Sequence, residues 1–300
     1  MEKELIKLIK TTLNSSYIGD DCAYLKDLGI VISQDSLVED IHFLRDKISP
    51  WQLGWKTASV NISDICASGA QPKYMTVALS LPKEINTEFV KEFYDGLKSA
   101  CDGVEIVGGD ITAADKIFIS ATAIGSDKGR NISSRANAQP GQKIVIAGVH
   151  GSSAAGLKLL LEGKSEPEKL IKAHLEPVAQ LEFSRKIATV QTDKYAMMDT
   201  SDGLMDALSQ ISEASGVGID INFDKIPVDE EIKSFTNWQE LVLFGGEDYG
   251  LVATVDTPLE GAVILGEITK GSGVTIDGQL YPKALIDKKI FNHFSCSTRV

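Results

Sequence analysis

The chain is poor in cysteine, in positive charge and in long apolar runs, and each shortage closes a class of function. Four cysteines occur in 300 residues (Cys22, Cys66, Cys101 and Cys296), and no two form a C-x-x-C pair. That pattern fits reduced, structural thiols in a cytoplasmic protein. Lys and Arg number 30 against 42 Asp and Glu, a formal net charge of −12. No basic stripe interrupts this excess, so nucleic acid is not an expected partner. No apolar run reaches the roughly 18 residues of a membrane helix. The opening Met1-Glu2-Lys3-Glu4 lacks the apolar region of a signal peptide. No membrane association is expected, and the expected location is the cytoplasm.

Familiar catalytic signatures are missing too. There is no G-x-G-x-x-G, no H-E-x-x-H and no G-x-S-x-G. Gly163-Lys164-Ser165 resembles the end of a P-loop, but Lys158 stands where the leading glycine belongs. The triplet also closes a helical stretch, whereas a P-loop opens one.

What remains is a chain in which strand-like and helix-like stretches alternate, the pattern of an α/β or α+β architecture. Its length predicts two domains of about 150 residues each. The polar stretch Ser133–Gln142, with Pro140-Gly141, separates two such halves and places a boundary at 137/138, giving domains 1–137 and 138–300. Strands are predicted at Ile30–Ser33, Tyr74–Leu81, Val104–Val107, Ile117–Ile124, Ile144–Ala147, Tyr195–Met198, Gly218–Ile221 and Gly250–Thr254. Helices are predicted at Trp51–Ser68, Thr87–Ala100, Ser153–Leu161, Val178–Val190 and Asp202–Ala214. In the first helix Trp51, Trp55, Ala58, Ile62 and Ile65 form a buried stripe. Thr57, Asn61, Asp64 and Ser68 form a second, small and polar stripe, predicted to look outward into something polar.

One arrangement recurs five times: a short apolar run, one or two small or polar residues, then an acid. The instances end at Asp20-Asp21, Ser33-Gln34-Asp35, Gly108-Gly109-Asp110, Asp199-Thr200-Ser201-Asp202-Gly203 and Gly245-Gly246-Glu247-Asp248. A strand delivers a carboxylate to its end, and glycine permits a tight turn and close ligand approach. One such turn is ordinary turn chemistry. Five of them, with Asp64 on its helix face, offer hard oxygen ligands for Mg²⁺ and for phosphates bridged by it. An acidic enzyme of anionic substrates needs such cations to offset repulsion. The passage Gly148-Val149-His150-Gly151-Ser152 could cradle an anion on helix amides, although a plain strand-to-helix connection reads more simply. His42 follows Asp35 by seven residues and is either structural or a substrate contact.

IGDDCAYL (18–25), SQDSLVEDIHF (33–43), GWKTASVNISDICASGAQP (54–72), VGGDIT (107–112), RANAQPGQ (135–142), HLEPVAQL (174–181), MMDTSDGL (197–204) and FGGEDYGL (244–251) together resemble the thiamine-monophosphate kinases along nearly the whole chain. The resemblance implies a two-domain fold of the aminoimidazole-ribonucleotide-synthetase type, a homodimer, and an ATP site in the interdomain cleft. It implies Mg²⁺-dependent transfer of the ATP γ-phosphoryl group to thiamine phosphate. Carried over by position, metal ligands would be Asp21, Ser33, Gln34, Asp35, Asp64, Asp110, Asp199 and Asp202, with Asp35, Asp110 and Asp202 central to catalysis. ATP contacts would be Gly109, Asp110, Arg135 and Ser201. Thiamine-phosphate contacts would be His42, Glu247 and Phe291.

Gln34 departs from the family's usual threonine, leaving its backbone carbonyl as the ligand. Gln142 and Gly250 replace acids. Two other enzymes of the superfamily fit less well. An aminoimidazole-ribonucleotide synthetase would show G-V-G-[ST]-K where this chain has Gln34-Asp35-Ser36-Leu37-Val38. A selenophosphate synthetase would need a reactive Cys and a Lys near the start. A non-catalytic cation or nucleotide sensor is the alternative from another class.

Overall fold

The structure, a computed structural model, describes residues 1–191, 193–257, 259–291, 293 and 294. The first half comprises α1 (Glu2–Leu13), β1 (Ala23–Leu25), β2 (Ile30–Val38), α2 (Pro50–Ser68), β3 (Gln71–Leu81), α3 (Thr87–Ala100), β4 (Glu105–Ala113) and β5 (Phe118–Ser126). Its five strands form one sheet in the order β1-β2-β5-β3-β4. Only β3 and β4 run parallel, joined by α3 as a parallel crossover requires.

The second half comprises β6 (Lys143–Ala147), α4 (Ser152–Leu161), α5 (Glu168–Leu175), α6 (Leu181–Val190), β7 (Met197–Asp199), α7 (Leu204–Ser215), β8 (Gly218–Ile221), α8 (Trp238–Phe244), β9 (Leu251–Val255), β10 (Val263–Thr269), β11 (Gly273–Ile276), β12 (Gln279–Tyr281) and α9 (Lys283–Lys289). Its sheet runs β12-β11-β8-β10-β6-β9-β7.

The helix α2 organises the molecule. Ser49 caps it: its Oγ accepts the Gln52 N–H at 3.2 Å, and Gln52 Oε1 accepts the Ser49 N–H at 3.1 Å. Pro50 occupies the first helical position, where no N–H is missed, and Gly69 ends the helix at φ 84°. Ala58, Ile62 and Ile65 are buried, as their spacing predicts. The polar stripe differs from expectation. Thr57, Asn61 and Ser68 are buried within the molecule, and their side chains donate to the Leu53, Thr57 and Ile65 carbonyls at 2.7–2.9 Å. The stripe faces β2, where Asn61 meets the Asp35 N–H and Asp64 meets Ser33.

The second half also packs on α2. Val145 of β6, Met197 of β7, Ala253 of β9 and Ile187 of α6 share one core with Ile62 and Ile65 of α2. The opposite face of the same sheet, with Ile144, Ile146 and Val252, packs on Leu204, Leu208 and Ile211 of α7. Thus α2 lies between the two sheets and belongs to both halves. Each fully buried Ile contributes about 2–3 kcal/mol by removal from water.

Two of the expected aspartate turns are strand interiors. β2 continues through Ser33-Gln34-Asp35 to Val38, and β4 continues through Gly108-Gly109-Asp110 to Ala113. Gly109 explains the second case. A Cβ there would stand 1.8 Å from the Val77 carbonyl oxygen, so glycine lets β4 press onto β3. The extra residue Val107 is absorbed by a register shift opposite Met75/Thr76.

Candidate active site

Three acids from separate segments meet beside α2. Asp21 precedes β1, Asp64 lies on α2, and Asp199 ends β7. One carboxylate oxygen of each lies within 4.8 Å of the other two. Their supports come from both halves. Asp199 accepts hydrogen bonds from Ser63 Oγ at 2.7 Å and Ser201 Oγ at 2.9 Å. Ser33 Oγ donates to the Asp64 carboxylate, and the Cys22 thiol donates to the Asp64 carbonyl at 3.1 Å. The Asp35 N–H donates to Asn61 Oδ1 at 3.0 Å, tying β2 to α2.

Crowding of like charges sets the electrostatics. Burial, then the charges of Asp35, Asp199 and Asp21, push the Asp64 carboxyl well above its ordinary range. Burial and Asp21 push Asp199 to about 7, against the opposing pull of the Ser63 and Ser201 hydrogen bonds. A bound cation would relieve this repulsion. All its donors are hard oxygens, which suit Mg²⁺.

Arg135 is the positive group at the rim. Its Nη2 lies 2.6 Å from Asp21 Oδ1 and its Nη1 donates to Gln210 Oε1 at 2.6 Å. Gln210 in turn donates to Asp206 Oδ2 at 2.5 Å. Burial opposes the guanidinium charge, yet Asp21 more than offsets it and leaves the pKa above its ordinary value. Asp206 is pushed to about 6 by burial and by neighbouring Asp202.

The remaining candidates are placed as follows. The side chain of Gln34 points away from the acids, bonding Ser120 Oγ at 3.1 Å and Thr122 Oγ1 at 3.2 Å. Gly109 and Asp110 lie on the far edge strand, with β5 and β3 between them and Asp35. Three strand spacings put them about 14 Å away within one chain. Residues in register share a face, and Asp110 aligns with Ala78, Ser120 and Ser36, the row beside Asp35. Asp110 therefore projects from the opposite face of the sheet to Asp35.

His42 and Phe291 are brought together. His42 Nδ1 accepts the Val38 N–H at 3.0 Å, and its Nε2 lies 3.1 Å from His293 Nε2. Phe291 packs edge-on against His293, with ring centroids 4.8 Å apart. Glu247 stands elsewhere. It is buried at 3% exposure, with Lys56 Nζ at 3.1 Å and His174 Nδ1 at 3.4 Å. The turn at Gly151 does hold an acidic group, but an internal one: Asp248 accepts the Gly151 and Ser153 N–H groups at 2.6 and 2.8 Å. Sequence reading passed over Ser63, Lys56 and Gln210, and named Asn61 only within the polar stripe of α2. Lys56, a charge inside a helix of buried residues, was the one legible signal among them.

Comparison with known proteins places this geometry. The family model for the N-terminal domain of AIR synthase related protein matches residues 19–126, and that for the C-terminal domain matches 139–278. The thiamine-monophosphate kinase of Aquifex aeolicus is 37% identical over 97% of this chain and 97% of its own length. The chain belongs to the thiamine-monophosphate kinases. The Bacillus subtilis member is 33% identical, covering 92% of this chain and 93% of its own. A solved member of the family, AaThiL complexed with AMPPCP and TMP, superposes with a TM-score of 0.88 at 36% identity over 97% of this chain and 96% of that one. The fold is accordingly the mixed α/β, two-domain fold of that family.

Proposed function

We propose that this kinase moves the γ-phosphoryl group of ATP directly onto thiamine phosphate, giving thiamine diphosphate and ADP, and that it requires Mg²⁺. The observation that carries the reading is the meeting of Asp21, Asp64 and Asp199, from both halves of the chain, beside Arg135. The likeness to a relative complexed with AMPPCP and TMP supports the choice of nucleotide and acceptor.

The acceptor is a phosphate oxygen, largely ionised at neutral pH because the second pKa of a phosphate monoester is about 6. No general base is needed, and no covalent enzyme intermediate. The barrier is repulsion between two polyanions. Asp21, Asp64 and Asp199 would hold Mg²⁺, with Ser33, Asp35, Asp202 and the Gln34 carbonyl as further donors. Held there, Mg²⁺ would supply charge to neutralise and align phosphate oxygens. Ser63 and Ser201 hold Asp199 in place. Arg135 supplies a fixed donor fork for phosphate, and Ser201 a hydroxyl at the same loop. His42, Phe291 and Glu247 are read as the acceptor's contacts, Glu247 being buried and paired with Lys56.

We further infer a homodimer through β4. This edge strand is solvent-exposed along nearly its whole length, with Val107 53% and Ile111 64% exposed. An unpaired apolar edge of this kind invites pairing. Such a contact would carry Gly109 and Asp110 toward the second copy. Division at 137/138 suits the two sheets, which use residues 23–126 and 143–281. A cytoplasmic setting suits the free thiols of Cys22, Cys66 and Cys101, and no helix among the described residues is long and apolar enough to cross a membrane.

Incubation with ATP, Mg²⁺ and thiamine phosphate tests the reading, with thiamine diphosphate and ADP expected in equal amounts. Binding of both substrates without product would favour a sensor instead. Asp35→Asn and Asp110→Asn should each lower turnover by about a hundredfold or more while circular dichroism stays unchanged.

A further inference from the structure

The loop that carries Asp199, Ser201 and Asp202 is fastened from behind by residues that the proposed chemistry does not use. Thr200, at 0% exposure, turns its hydroxyl to Gly250 and His150. Its N–H donates to the Gly250 carbonyl at 3.0 Å, and its Oγ1 accepts the Gly250 N–H at 3.0 Å. The same Oγ1 lies 3.2 Å from Nε2 of His150, which is also fully buried.

His150 is itself held. Its backbone N–H donates to the Pro227 carbonyl at 2.9 Å, and its ring packs against Gly250. A Cβ at position 250 would stand 2.8 Å from both Cε1 and Nε2 of that ring. Glycine is therefore required at 250 for His150 to reach Thr200. Burial pushes the imidazole pKa down to about 4, so the ring is neutral at ordinary pH. Among the described residues Nδ1 has no hydrogen-bond partner within bonding distance, although the Gly148 backbone acts on the ring; Thr200 is the side chain that Nε2 meets.

We propose that His150 is a positioning residue which, through Thr200 and in the space left by Gly250, fixes the Asp199–Asp202 loop so that Asp199 is presented to the cation. The proposal rests on the reading of Asp199 as a metal ligand. Removing one partner of a buried hydrogen bond leaves the other unsatisfied, while removing both together is far less costly. Partners behind a ligating carboxylate typically change metal affinity tenfold or more.

The test is a double-mutant cycle read by Mn²⁺ titration of the full chain without nucleotide, with melting temperature measured alongside. His150→Leu and Thr200→Val are each expected to weaken Mn²⁺ binding by roughly tenfold. The double variant should lose less than the product of the two single losses. His150→Gln, whose amide can reach the same hydroxyl, and Thr200→Ser should stay within about twofold of the parent. In turnover, kcat should fall in His150→Leu while KM for thiamine phosphate holds. Asp199→Asn is the control. If it weakens Mn²⁺ binding but His150→Leu changes melting temperature alone, the positioning role is overturned and the metal reading survives. If Asp199→Asn binds Mn²⁺ like the parent, the metal reading falls and the proposal falls with it.

Discussion

Asp64 sits where four carboxylates converge, and that placement costs the folded protein stability. Its pKa is raised by burial and by Asp35, Asp199 and Asp21, so ionising it strains the fold. Asp64→Asn should abolish turnover and yet raise the melting temperature of the metal-free protein by roughly 2–4 °C, about 1 kcal/mol for a chain of this size class. Differential scanning calorimetry with and without Mg²⁺ checks this; a lower melting temperature in the metal-free variant would refute it. Asp248 offers a pH test away from the acids. Burial lifts its pKa to about 7, against the pull of the Ser153 and Gly151 N–H groups. The folded protein therefore keeps a proton that the unfolded chain releases from about pH 4 upward. That contribution to stability is complete at low pH and is lost as pH rises toward 7. Relative to the parent, Asp248→Asn should be most destabilised near pH 4.5, and the gap should narrow by pH 7.5.

At the scale of elements, the sequence was most legible where one pattern had one cause. The stripe Ala58, Ile62 and Ile65 marked α2, and its Gly69 stop was correct. The acids Asp21, Asp64 and Asp199 were all named from sequence, and they meet. The strand ends were misjudged at Asp35 and Asp110, because Gly109 serves close packing and Ser33 bonds Asp64, and neither makes a turn. Strands β10, β11 and β12 went unrecognised, since Gly266 interrupts the first and the other two are only four and three residues long. The ion pair of Lys56 with Glu247 spans 191 residues, and no local pattern encodes such a partner. Strand β4 carries the element-scale prediction. Ile111→Lys should convert the homodimer proposed through β4 to monomer in analytical ultracentrifugation, with melting of the separated chain otherwise little changed.

For the molecule as a whole, α2 has one consequence for stability. It contributes to a core shared by both sheets, so neither half can lose its structure while the other keeps its own. Calorimetry should show one cooperative transition and not two, and a truncated chain 1–137 should show broad, weak melting. The side of α2 that meets the second half is unusually polar. Gln52 donates to Glu176 at 3.1 Å, Lys56 pairs with Glu247 at 3.1 Å and Ser63 donates to Asp199 at 2.7 Å. On the ribosome this matters. Chain growth of about 5–20 residues per second leaves Lys56 waiting roughly 10–40 s for the residue it will pair with. Throughout that interval the uncovered flank of α2 offers water an ammonium group, an amide and hydroxyls. A half-made chain thus carries its own protection against sticking to its neighbours, built from the same side chains that later align the acids.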